Sequence, residues 1–395
     1  MKIGIFTNHY LPVVNGVVIS IKTLKENLEK KGNEVYIFCA EDQFFNPKTQ
    51  ISRKDFSYKA IRIYHNHSIP ITFPSFDFQI AKKMNLDIIH SQHTVFVGKH
   101  AVKIANRLKI PIVFTYNSQY NAYLKYLPQI MHGNITNTIF LQLTKSYLEK
   151  CDGIIVPSKG LKEEIIKMKV KKEVAVIPGN VDIKRFQIQR DVKLRKELGY
   201  TKDDIVLITV SRLSKEKNVS FLIKIFKKLY EKNKNYKLLI IGDGPERLTL
   251  EKEAKKYQDS IKFVGEISYT QIPQYYKVGD IFVYTSLFDT QGLVLIEAAS
   301  SSLPIITLRN IGTSDFIQNN VNGYILPEVE DDFVNAIEKV VQNKDIREKF
   351  VSYNNKYINS YTDNSDKILK FYKEVIDRYK INMGGIGIEP MTFTV

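Results

Sequence analysis

Two carboxylates, Asp289 and Glu297, stand eight positions apart around the turn residue Gly292. A glycine there lets the backbone come close to a ligand. The apolar run Leu293–Ile296 continues into Ala298-Ala299, as a helix start does. N–H groups at such a start receive an anion or a hydroxyl oxygen. Glu297 then lies on the first turns, facing whatever the loop holds. Read alone, the stretch is equally a loop carboxylate followed by an acid that offsets a helix dipole. Two cations, Arg212 and Lys217, sit in Arg-Leu-Ser-Lys-Glu-Lys. Arginine offers a planar fork and lysine a point charge, a combination that suits a diphosphate. Fixed cations there stabilise charge that develops on a departing phosphate oxygen.

The elements that position these residues alternate between strand and helix. In the second half, Asp204–Ser211 reads as a strand leading into the Arg212 loop. Its helix turns Leu222, Ile225, Phe226 and Leu229 inward. Tyr236–Ile241 leads to Gly242-Asp243-Gly244, and Ile261–Val264 leads to Gly265-Glu266-Ile267. Asp280–Thr285 precedes the acidic stretch, and Leu303–Thr307 and Gly323–Leu326 follow it. The first half has strands at Lys2–Thr7, Glu34–Ala40, Leu86–His93, Pro111–Thr115, Cys151–Ser158 and Val174–Pro178. A short strand is expected near Ala60–Tyr64, after a polar excursion. Gly16 sits in the first strand–helix loop, and no Gly-x-Gly-x-x-Gly fingerprint is present. Pro111–Thr115 ends in Tyr116-Asn117, at the carboxyl side of the sheet where open α/β folds place ligands.

This pattern predicts an α/β protein of two doubly wound, Rossmann-like domains, over 1–185 and 186–365. A closing helix over 366–382 carries Ile368, Leu369, Tyr372, Val375 and Ile376 on one face and is expected to pack back on the first domain. Residues 383–395 have neither period nor caps and read as a disordered tail. Ser68–Phe78 is apolar and interrupted by proline, either a cover for the core or a lip for a greasy acceptor or membrane. Residues 119–150 carry Tyr120, Tyr123, Tyr126, Ile139 and Leu143 with Lys145 and Lys150, and read as a helix or helix pair.

A chain of 395 residues favours two domains. The net charge of +16 suits nucleic acid, anionic lipid or a nucleotide-sugar, and for single clusters a solvated basic face. Cys39 and Cys151 give neither a disulfide framework nor metal spacing, which fits a reducing compartment. No apolar run is long enough to span a bilayer, and there is no secretory segment. With no Asp-x-Asp triplet and no His/Cys cluster, no metal ligands are expected.

In this order, the motifs resemble those of the retaining glycosyltransferases of the Glu-x7-Glu family, family 4. That family includes sucrose synthase, glycogen synthase and the phosphatidylinositol mannosyltransferases. The resemblance runs over roughly residues 1–380. It implies the GT-B fold, two domains facing a central cleft, and a nucleotide-sugar donor, with UDP-glucose expected and no further cofactor. By the same resemblance, Asp289 holds donor-sugar hydroxyls, where relatives have the longer glutamate. Glu297 holds the ribose, and Arg212 and Lys217 take the donor phosphates. Gly16, beside Asn15, faces the phosphates, while Gly242, Ile267, Gln291, Gly292 and Leu293 line the donor. Asn117 occupies the histidine position of a Thr-x-His motif that lies beside the donor sugar; asparagine can hydrogen-bond a hydroxyl but cannot titrate. Val95 stands where relatives have glutamate.

Asp289–Gly292, the tyrosines after Asn117 and the Lys150-Cys151-Asp152 junction look most like bacterial 1,2-diacylglycerol glucosyltransferases. The implied acceptor is diacylglycerol or its monoglycosyl derivative. The implied setting is the anionic inner face of the cell membrane, bound peripherally from the cytoplasm, with no nucleic-acid partner. Two rivals are a transferase with a soluble or polymeric acceptor, and a sugar-nucleotide-binding relative that has lost catalysis.

Overall fold

The computed structural model describes residues 1–11, 16–40, 55–58, 78–117, 134–189 and 192–384. The expected strand at Ala60–Tyr64, the segment 68–77, Tyr120, Tyr123, Tyr126 and the tail beyond Gly384 lie outside them. The chain forms two compact units, leaving the first after Pro178 and returning to it at Asn364.

The first unit carries a seven-stranded parallel sheet, in the order β3-β2-β1-β4-β5-β6-β7. Its strands are β1 (Lys2–Thr7), β2 (Glu34–Ala40), β3 (Asp55–Tyr58), β4 (Ile88–Ser91), β5 (Ile112–Thr115), β6 (Gly153–Val156) and β7 (Val174–Val176). Its helices are α1 (Gly16–Lys30), α2 (Phe78–Lys83), α3 (Val97–Leu108), α4 (Asn134–Leu148) and α5 (Lys159–Lys167). β3 falls within the stretch read as a polar excursion. Its Asp-Phe-Ser-Tyr pairs only with β2, and an edge strand tolerates polar residues that an inner strand of a parallel sheet does not.

The second unit carries a six-stranded parallel sheet, in the order β10-β9-β8-β11-β12-β13. The strands are β8 (Ile205–Val210), β9 (Tyr236–Ile241), β10 (Ile261–Gly265), β11 (Ile281–Tyr284), β12 (Ile305–Leu308) and β13 (Tyr324–Leu326). Its helices are α6 (Val192–Glu197), α7 (Val219–Lys232), α8 (Arg247–Ala254), α9 (Ile272–Tyr276), α10 (Leu293–Ser300), α11 (Glu330–Gln342) and α12 (Lys344–Tyr357). Alternate residues of each strand feed opposite faces. Leu207, Leu238 and Ile240 pack with Phe226 of α7 and Phe333 of α11. Ile208, Leu239 and Ile241 pack with Tyr276 of α9 and Ile296 of α10. Burial on both faces explains why these strands read as unbroken apolar runs.

The last helix, α13 (Ser365–Gly384), belongs to the first unit. Ile368, Phe371, Tyr372 and Val375 lie in one core with Ile3, Ile5, Val18 and Leu24. A Cβ at Gly153 of β6 would stand 2.7 Å from Val375 and 2.9 Å from Phe371, so the helix presses onto the sheet where only glycine fits. Among the described residues no helix is long and apolar enough to cross a membrane. In each sheet the strand order reverses beside the first strand, β1 or β8. The carboxyl ends there open a crevice that open α/β folds use for ligands.

Candidate active site

In the second unit, β8 and β11 are neighbours, so the loops after them meet. A short 3-10 turn, Lys215–Lys217, follows β8, and Asn218 in the left-handed region (φ 51°) opens α7. The Thr285 hydroxyl donates to the carbonyls of Lys217 and Asn218 at 3.2 and 3.0 Å, and the Leu287 N–H donates to the Glu216 carbonyl at 2.8 Å. These bonds fix one loop against the other.

The Lys217 Nζ donates to Asp289 Oδ1 at 2.9 Å, to the Tyr284 hydroxyl at 3.1 Å and to Ser286 Oγ at 3.3 Å. Both charged side chains are largely covered, at 17% and 13% exposure, so solvent screens the pair little. Burial works against the ammonium, but Asp289 and Tyr284 outweigh it and hold the lysine pKa well above its usual value. Arg212, on the same loop, keeps its side chain exposed. The structure thus brings Lys217 and Asp289 into contact. Tyr284 and Ser286 were missed from the sequence, since a tyrosine ending an apolar strand reads as core.

Gly242 has a φ of 128°, and a Cβ on it would stand 1.9 Å from the Ser211 carbonyl oxygen. A Cβ on Gly244 would stand 2.3 Å from the Leu213 carbonyl oxygen. Close backbone approach between the loops after β8 and β9 therefore demands glycine at both positions. The Gly242 N–H donates to the Gly265 carbonyl at 2.8 Å, which ties in the loop after β10. Ile267, two residues on, is half-buried against the face of the sheet that packs on α9 and α10.

Gly292 caps α10 in the left-handed region (φ 69°) with no side-chain cap. Leu293 begins the helix and is half-buried. Gly312 packs on this turn so closely that a Cβ would stand 2.5 Å from the Asp289 carbonyl oxygen. The Gln291 side chain is engaged with the backbone of this unit. Its Oε1 accepts from the Gly179 N–H at 2.8 Å and its Nε2 donates to the Gly179 carbonyl at 3.4 Å, which anchors the start of this unit.

Glu297 is 8% exposed, and the Tyr276 hydroxyl donates to its Oε2 at 2.8 Å. Burial pushes the carboxyl pKa up to about 7, with the Tyr276 bond pulling the other way. Tyr276 was also missed: it lies 21 residues upstream on a different helix, and nothing local marks it.

Gly16 and Asn117 lie in the first unit. Gly16 is exposed as the first residue of α1. Asn117 follows β5, and its Nδ2 donates to Gln92 Oε1 at 2.7 Å. Val95 is 43% exposed, beside Phe96. Among the described residues no group of three or more His, Cys, Asp or Glu side chains could hold a metal ion.

Two family descriptions match consecutive parts of the chain: Glycosyltransferase Family 4 over residues 14–185, and Glycosyl transferases group 1 over residues 191–357. An alpha-monoglucosyldiacylglycerol synthase of Streptococcus pneumoniae is 34% identical over 367 residues, covering 89% of this chain and 81% of the relative. The chain is a family 4 glycosyltransferase. An alpha-monoglucosyldiacylglycerol synthase of Acholeplasma laidlawii is 31% identical over 369 residues, covering 88% of this glycosyltransferase and 89% of the relative. Among solved structures, Anabaena Alr3699/HepE in complex with UDP and glucose matches with a TM-score of 0.71 at 16% identity, covering 98% of this chain and 100% of the other. Sucrose-phosphate synthase of Thermosynechococcus elongatus matches with a TM-score of 0.76 at 18% identity, covering 95% and 99%. The glycosyltransferase has the GT-B fold.

Proposed function

We propose that this glycosyltransferase moves glucose from UDP-glucose to diacylglycerol or its monoglycosyl derivative, with retention at the anomeric carbon. The observation that carries the reading is its identity of 34% and 31% to two alpha-monoglucosyldiacylglycerol synthases over most of the chain. The site fits the chemistry. Glu297 takes the ribose hydroxyls, and Asp289 takes hydroxyls of the hexose. Lys217, kept charged by Asp289, and Arg212 stabilise the departing diphosphate, the role a divalent ion has in metal-dependent transferases. The family resemblance implies a front-side displacement through an oxocarbenium-like state, with the leaving phosphate accepting the acceptor proton.

The first unit would dock on the inner leaflet. In support, Ile139 and Leu143 on α4 are 52% and 59% exposed, and the chain carries a net charge of +16. Anionic lipid attracts basic surface by about 1 kcal/mol per engaged residue.

The deciding experiment incubates labelled UDP-glucose with vesicles of diacylglycerol and anionic lipid and chromatographs the lipid fraction. A labelled glycolipid is expected, with vesicle binding that weakens as salt rises. Label only in soluble products would favour a soluble acceptor. Asn117 adds a second arm, since it replaces a histidine of the family motif. If the wild type is inactive and Asn117→His gains turnover, the chain is a binding relative that has lost catalysis.

A further inference from the structure

Asn117 is the outer end of a side-chain chain that runs into the core of the first unit. Its Nδ2 donates to Gln92 Oε1 at 2.7 Å, and Gln92 Nε2 lies 3.1 Å from His90 Nε2. The same ring nitrogen lies 2.5 Å from Thr115 Oγ1. On the far side of the ring, His90 Nδ1 lies 2.6 Å from the Tyr372 hydroxyl of α13. His90, Gln92 and Tyr372 are 1%, 5% and 0% exposed, so water does not substitute for any of these bonds.

Polarity propagates along such a chain. An amide that accepts on its oxygen offers only N–H groups at its other end. Gln92 gives its oxygen to Asn117 and so presents an N–H to His90 Nε2. On that assignment the nitrogen accepts from Gln92 and from the Thr115 hydroxyl, and the ring proton lies on Nδ1, facing Tyr372. Burial lowers the His90 pKa to about 3, so the ring is neutral, and a neutral ring has one donor and one acceptor nitrogen. At the other end, Asn117 has given its N–H to Gln92, which leaves its carbonyl oxygen able to accept from another group.

We propose that His90 and Gln92 are positioning residues for Asn117, holding its side-chain oxygen as a hydrogen-bond acceptor for a substrate hydroxyl. Tyr372 extends this control to the C-terminal helix. The idea rests on the reading that Asn117 faces a sugar hydroxyl. It adds which end of the amide does so and what fixes it.

Two measurements test it. The first is the side-chain 15N spectrum of His90 in the intact protein, which requires neither acceptor nor turnover. A neutral ring protonated on Nδ1 is expected, and a ring protonated on Nε2 would overturn the assigned polarity. The second compares two variants at Gln92. Gln92→Glu keeps an oxygen facing Asn117 and, with its buried carboxyl protonated, an O–H facing His90 Nε2, and should retain activity within about threefold. Gln92→Met has no group to hold the amide and should lose about tenfold or more in kcat/KM, as expected when a bond that orients a substrate contact is removed. Affinity for UDP, held by the second unit, should be alike in the two variants, while Tm falls in Gln92→Met, whose buried neighbours lose a bond. Equal turnover in both would sink the proposal, as would a Gln92→Met loss in turnover matched by an equal loss in UDP affinity. Because the spectrum is read without substrate, failure of the transferase assay and failure of this chain of bonds are separate outcomes.

Discussion

Replacing Lys217 by alanine is expected to lower turnover by about two or more orders of magnitude, the effect of losing an oxyanion-type donor. The ammonium is fixed before substrate arrives by Asp289, Tyr284 and Ser286. Its three donors are all engaged there, so it meets the leaving phosphate by exchanging its longest bond, to Ser286, for a phosphate oxygen. Its removal also takes a counter-ion from the largely covered Asp289, which lowers stability. Arg212 separates the two effects. Its side chain is exposed, so Arg212→Ala should lower turnover by a similar factor at unchanged Tm. Because both cations serve one leaving group, the double variant should fall well short of additivity. The measurement is kcat with saturating donor for the four proteins, with Tm alongside. Small, additive losses would remove both residues from the leaving group.

The second large effect concerns Glu297 and carries a pH signature. Glu297→Ala should cost roughly 2–4 kcal/mol in transition-state stabilisation, because ribose hydroxyls lose a buried acceptor. The carboxyl pKa is raised from 4.5 to about 7 by burial. Hydroxyls donate to the carboxylate form, so UDP binding favours the deprotonated protein. Affinity should rise roughly tenfold from pH 6 to the plateau above pH 7, with a proton released on binding near pH 6. Stability without ligand moves the opposite way. A folded-state pKa above the unfolded one contributes stability that is complete below about pH 4.5 and is lost as pH rises through about 7. Glu297→Gln should flatten both profiles. Calorimetry in buffers of different ionisation heat reads the proton, and a UDP affinity that ignores pH in the wild type would remove Glu297 from the ribose.

The alternation of strands and helices could be read from the sequence because both sheets are parallel and buried on two faces, which forces apolar runs. Lys217, Asp289 and Glu297 stood out because charge beside an apolar run has few structural uses. Their partners did not. Tyr276 and Tyr284 read as core, and only the fold brings them to the charged groups; the His90–Gln92 pair, in the other unit, read as strand-end polarity. Gln291 has a structural partner that spacing does not show. It sits in the acidic loop beside a glycine, yet its amide holds the Gly179 backbone 112 residues away. Gly242 and Gly244 combine the two cases. Their loop was picked out as ligand-facing, and the structure supplies a packing reason for each glycine that spacing cannot reveal.

The return of α13 to the first unit has a consequence for biosynthesis. Ile368, Phe371, Tyr372 and Val375 complete a core begun by Ile3 and Ile5, at opposite ends of the chain. During synthesis the first sheet emerges early, but the helix that covers it emerges only after the second unit has been made. Throughout translation of the whole second unit, the face of β6 around Gly153 stays uncovered. The contact order of the first unit is therefore high, and its folding waits until residues 179–363 have been made. A ribosome that stalls before residue 364 would release a chain whose first sheet is open and aggregation-prone.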